Sequence, residues 1–152
     1  MKRDTKIVMA VIAAIPIAIL SASTLCTFAI AQGASMRWRI PFRIMCHGIR
    51  ERCLELFGVP MPICARCVGI YAGLLAGIML FLLLPVLRER TMRIVAFLAV
   101  TPLAIDGLTQ LAGLRESTNP LRLSTGIVAG LALGMWALCA VERRDEPSLS
   151  SP

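Results

Sequence analysis

The chain has 152 residues, of which 57% are hydrophobic, with a mean hydropathy of +0.77 and a formal net charge of +7. A water-soluble domain is apolar at roughly one half of its positions, so this composition excludes one and points to a membrane. Nor does the charge argue for a nucleic-acid partner: the basic residues flank the apolar runs, where arginine and lysine meet lipid headgroups and set topology.

The first apolar run, residues 7–31, follows Lys2, Arg3 and Lys6. Its end, Ala29–Ala31, resembles a signal-peptide cleavage site, but an uncharged run of twenty-five residues is long for that role and reads as a retained transmembrane helix. A Cys/His-rich loop follows, and then three more runs of about the ~20 residues that a ~30 Å hydrocarbon core demands: 68–87, 94–114 and 123–141. The arginine-rich turns RERTMR (88–93) and RESTNPLR (115–122) separate them, which predicts helical hairpins.

The expected fold is therefore all-α: a polytopic, multi-pass membrane protein of four helices in two hairpins, with both termini on one side. Residues 1–145 form one membrane domain and the polar tail 146–152 is expected to be disordered. The expected location is the cell membrane and the expected partner the lipid bilayer. Orientation is a tie. Lys2, Arg3, Lys6, Arg88, Arg90, Arg93, Arg143 and Arg144 fall on the side of the termini, against Arg37, Arg39, Arg43, Arg50, Arg52, Arg66, Arg115 and Arg122 on the other. Eight against eight gives the positive-inside bias nothing to act on.

Two helices carry a packing signal. Gly69, Gly73 and Gly77 recur in the second and Gly126, Gly130 and Gly134 in the fourth, a doubled small-xxx-small pattern that lets backbones approach closely in lipid. GIYAGLLAG aligns on GIVAGLALG at an offset of 57 with six identities in nine, the pattern an old duplication of the hairpin would leave. These helices are expected to pack on each other, and their glycine faces also permit a homo-oligomer.

Chemistry concentrates between Cys46 and Cys67, where four cysteines and the sole histidine fall within twenty-two residues at one membrane face. Cys64-x-x-Cys67 can place two thiolates on one ion, with Cys46 or His47 and Cys53 completing a tetrahedral shell of the zinc type; five ligands compete for four places. Arg50, Arg52 and Arg66 would help to keep thiolates ionised. A catalytic metal would leave an open position, and Asp106 or Glu51 could then act on a bound water.

The alternative chemistry is thiol–disulfide exchange, with Cys64 and Cys67 as a reactive pair at a helix N-terminus, Cys46 and Cys53 as a relay, and a quinone as acceptor. In layout alone the chain resembles the quinone-coupled disulfide-forming oxidoreductases, whose second cysteine pair lies in the other loop, whereas 115–122 has no cysteine here. Cys26 and Cys139 read as small apolar residues. Asp106 is the only charged residue within the four runs, and an intramembrane carboxylate marks either a functional site, as in a small transporter or channel component, or a structural ion pair. Arg115 and Arg122 are the expected partners, Arg122 first, with Gln110 on the same helix face.

The segments CHGIRERC, PMPICARCVGIYAG and IDGLTQLAGLRESTNPLRLSTG together resemble the domain-of-unknown-function 2085 family of small predicted membrane proteins, from Cys46 to about Gly130. The resemblance carries onto Cys46, His47, Glu51 and Arg52, onto Cys64, Arg66, Cys67, Gly69, Tyr71 and Gly73, and onto Asp106, Asn119, Arg122, Thr125 and Gly126. Arg50 stands where that family has proline and Cys53 where it has serine. A serine there implies that Cys53 is the spare ligand, leaving Cys46, His47, Cys64 and Cys67 as the metal set. The resemblance implies no activity.

Overall fold

A computed structural model describes residues 3–83 and 88–144. Four helices among them are long and apolar enough to cross a membrane: α1 (Arg3–Ala31), α2 (Ala65–Leu83), α3 (Glu89–Leu111) and α4 (Asn119–Arg144). Even the shortest, at 19 residues, rises about 28 Å at ~1.5 Å per residue. Their outward faces carry Leu25, Phe97 and Leu108, all more than 60% exposed, as expected of helices solvated by lipid. The predicted end of the second helix, residues 84–87, and the tail 146–152 lie outside the described residues.

Every helix begins three to five residues earlier than its apolar run, because polar residues form the first turn. Two helix ends follow from glycine. Gly33 (φ +98°) and Gly113 (φ +68°) adopt the left-handed conformation that closes a helix, and the following residues turn back: Ala34 N donates to Ala29 O at 3.0 Å and Leu114 N to Thr109 O at 3.0 Å. For that reason α3 stops at Leu111, three residues before the predicted end.

α4 is the centre of the bundle, packing on both α2 and α3, while α1 lies on α2. The α2–α4 contact is the expected one. A Cβ added at Gly73 would sit 2.3 Å from Ile127 O and one at Gly130 2.3 Å from Ile70 O, so only glycine permits this approach. In α1 the buried hydroxyls of Ser23 and Thr27 donate to the helix's own carbonyls, Leu20 O and Ser23 O, and so need no water.

The Cys/His-rich loop departs from expectation, since it holds regular structure that the all-helical reading missed. A 3-10 segment (Met36–Ile44) leads to a short 3-10 turn (Arg50–Arg52) and then to an antiparallel hairpin of β1 (Cys53–Leu56) and β2 (Val59–Cys64). Its two-residue turn, Phe57-Gly58, has φ of 58° and 73°, both positive as a type I′ hairpin needs. Phe57 pays for that conformation with an edge-to-face contact on Phe28 of α1, at 5.6 Å between ring centroids. β2 runs directly into α2 at Ala65, and this junction positions the cysteines.

Candidate metal centre

Cys46 leaves the 3-10 segment, Cys64 ends β2, and Cys67 lies in the first turn of α2. These three thiols come together, with all sulfurs within 4.8 Å of one another and Cys64 Sγ 3.5 Å from Cys67 Sγ. They rest on an apolar floor of Ile19, Phe42, Ile63, Val68 and Tyr71, contributed by α1, the loop and α2. All six cysteines are free thiols.

Electrostatics favour a thiolate at Cys46. Hydrogen bonds from the thiols of Cys64 and Cys67, with backbone N–H groups of Gly48 and Cys64 aimed at the sulfur, hold it well below the ordinary thiol range against the opposing effect of burial. The Cys64 N–H donates to Cys46 Sγ at 3.2 Å. Tetrahedral zinc with bonds of ~2.3 Å separates its sulfurs by ~3.8 Å, so the three thiols are spaced to hold such an ion.

Two other sequence candidates stand outside this group. His47 is exposed and its ring nitrogens are not among the clustered atoms. Cys53 is register-paired with Cys64 in the hairpin, but its buried thiol donates to Ile49 O at 3.1 Å instead. Burial pushes that thiol up to about 11, only partly opposed by Arg39. Glu51 is exposed, and its backbone carbonyl, not its carboxylate, is what the structure engages.

The expected Asp106–Arg122 pair is not the one formed. Asp106 is paired with Arg66, which lies between Cys64 and Cys67 in sequence and reaches down from the first turn of α2 across Gly107. Because α3 ends at Leu111, Asp106 lies five residues, about 7.5 Å, below that end, within reach of an arginine from the same face. Arg122 is occupied elsewhere. Its Nη1 donates to Asn119 Oδ1 at 2.8 Å, and with the Gln110 amide assigned so that its oxygen faces the donors around it, Arg122 Nη2 donates to Gln110 Oε1 at 2.7 Å and Ser117 N to the same oxygen at 2.9 Å. Asn119 Nδ2 in turn donates to Glu51 O and Cys53 O, at 3.3 and 3.1 Å.

Two polar clamps result. Arg66–Asp106 ties the thiol-bearing helix α2 to α3, and Asn119–Arg122–Gln110 ties the start of α4 and the end of α3 to the short 3-10 turn and the start of β1. Sequence reasoning missed Arg66 as the partner of Asp106 and missed Ser117 altogether. The signal for Arg66 was its place at the mouth of α2, on the face toward which α3 returns.

Four apolar helices capped at one face by a thiol cluster and a β-hairpin define a polytopic helical membrane protein with an extramembrane thiol site. The chain belongs to the family described as "Predicted membrane protein (DUF2085)", which it matches over residues 46–136, from Cys46 into α4. It is similar to an uncharacterised protein of Methanothermobacter thermautotrophicus, 44% identical over 94 residues that cover 62% of this chain and 85% of that one. A second uncharacterised protein, from Methanocaldococcus jannaschii, is 38% identical over 99 residues, and the match spans 64% of each chain. No solved structure matches.

Proposed function

We propose that the protein is a multi-pass protein of the cell membrane that holds one metal ion, best suited to zinc, on Cys46, Cys64 and Cys67. The observation that carries this reading is three sulfurs within 4.8 Å, with a backbone N–H directed at one of them. Soft thiolates select zinc over magnesium or calcium. Three thiolates leave a fourth place, which an external ligand takes if the centre is open, or His47 if the exposed residue beside Cys46 turns inward. Arg66 acts as a positioning residue, linking the Cys64–Cys67 turn to α3 through Asp106.

Elemental analysis and thiol titration on the purified chain test this. About one metal per chain is expected; Cys64→Ser should abolish it and Cys53→Ser should keep it. Loss of metal from His47→Ala as complete as from Cys64→Ser would mean a closed Cys3His shell. Folded, metal-free protein with Cys64 linked to Cys67 would overturn the metal reading in favour of a thiol oxidoreductase.

A further inference from the structure

The loop that carries Cys46 and Cys64 also builds a second feature that the metal reading does not use. A cleft of about 230 Å³ opens between the 3-10 segment, the short turn at Arg50 and Pro62 of β2. Three arginines line it: Arg39 and Arg43 from the segment, and Arg50 from the short turn. Its remaining walls are apolar, from Met36, Ile40 and Pro62, together with Gly48. Arg39 is held in place, with Nη2 donating to Met61 O at 2.9 Å. No carboxylate pairs with any of the three among the described residues.

Position in the membrane narrows the occupant. α1 ends at Ala31 and α2 begins at Ala65, so this loop lies at the membrane face. Its segment turns large apolar side chains outward, Trp38 at 63% and Ile44 at 91% exposed, which water would penalise and the interfacial layer accommodates. Guanidinium forks match the paired oxygens of a carboxylate or of a phosphate, and at a membrane face the anion within reach is the phosphate ester of a lipid headgroup. The volume is below the ~300 Å³ at which pockets for whole small molecules begin, so it suits a compact phosphate with its first carbons. Free phosphate would gain nothing from Met36 and Ile40; a lipid would.

We propose that this cleft binds the phosphate of an anionic phospholipid headgroup, on Arg39, Arg43 and Arg50. The proposal is independent of the metal. Native mass spectrometry of the full chain in detergent, with phosphatidylglycerol, phosphatidylcholine and inorganic phosphate as probes, tests it. Phosphatidylglycerol should be retained about 10-fold better than phosphatidylcholine, and Arg43→Gln with Arg50→Gln should remove most of that preference. The control pair Arg37→Gln with Arg115→Gln makes the same change in charge outside the cleft and should leave it within about 2-fold.

Equal loss in both variants would reduce the effect to diffuse attraction and overturn the site. Displacement of phosphatidylglycerol by inorganic phosphate at equal concentration would overturn the lipid assignment. Should the cleft variant fail to fold, arginine modification of the unaltered protein decides. Phosphatidylglycerol, and not phosphatidylcholine, should protect Arg43 and Arg50 from phenylglyoxal; absence of protection would sink the proposal.

Discussion

Arg66, which was not among the expected partners, takes its charge into the bundle in place of Arg122, and the reason is local. Arg122 already satisfies Gln110 and Asn119, whereas Arg66 extends past Gly107, whose missing side chain leaves its Nη1 3.6 Å from where a Cβ would be. Removing one member of a fully buried pair strands the other at ~3–5 kcal/mol, and with Arg66 24% exposed the cost here falls below that range. Asp106→Asn and Arg66→Gln should therefore be non-additive in thermal stability in detergent, the double variant recovering ~1 kcal/mol or more relative to the sum. Asp106→Asn with Arg122→Gln should be additive; coupling there and none with Arg66 would reverse the assignment. Cys53 makes a pH prediction. Its buried thiol titrates near 11 and not near 9, so folding favours the protonated form, and its contribution is intact below pH 9 and lost as pH rises from 9 to about 11. The Cys53→Ser variant should lose less stability than the parent across that window, while keeping its metal. That this loop could gather thiols was readable from residue identity and spacing, but which of the five candidate side chains cluster depended on the hairpin, which turns Cys53 toward Ile49 and brings Cys46 beside Cys64.

At the scale of elements, the helices were legible because lipid imposes a length and a polarity that few other segments meet. The hairpin was not. Its turn is Phe57-Gly58 in place of the usual Asn-Gly, and β2 contains Pro60 and Pro62, which ordinarily argue against a strand. The ladder tolerates them because it is irregular over this stretch: Cys53 pairs with Cys64 and Glu55 with Pro60, two residues of β1 against four of β2, and the N–H of Cys64 itself goes to Cys46 Sγ and not to β1. Glycine periodicity did predict the α2–α4 contact, and its cost is measurable. Gly73→Ala forces a Cβ against Ile127 O and should destabilise by ~1–3 kcal/mol despite alanine's better helix propensity. Gly107→Ala meets only the flexible end of Arg66 at 3.6 Å and should be neutral or stabilising by up to ~1 kcal/mol. Equal melting temperatures for the two variants would mean that the glycine stripe is not a packing face.

For the molecule as a whole, the alternation of the four helices puts the thiol cluster, the arginine cleft and both polar clamps at one end of the bundle, and the starts of α1 and α3 with the ends of α2 and α4 at the other. Asn119 bonding to Glu51 O and Cys53 O is independent support, since it joins the α3–α4 turn to the loop after α1 and so places both on one face. Which compartment that face meets decides the chemistry available to the cysteines, because cytosolic thiols stay reduced and able to hold metal while extracytoplasmic ones tend to pair. The charge count balances at eight against eight and gives no orientation, so the sidedness has to be measured. A membrane-impermeant maleimide, applied to sealed vesicles carrying Ser35→Cys or Thr91→Cys, should label one and not the other above the parent's background, since the first follows α1 and the second opens α3 at the opposite end. Labelling of both from one side would break the four-span topology. Labelling of Ser35→Cys from the cytosolic side alone would fit a metal centre that needs no protection from oxidation. Labelling from the outer side alone would call for metal to be what keeps Cys64 and Cys67, 3.5 Å apart, from closing on each other, and metal removal followed by exposure to an added disulfide oxidant such as oxidised glutathione, which takes up the two electrons, should then cost two titratable thiols.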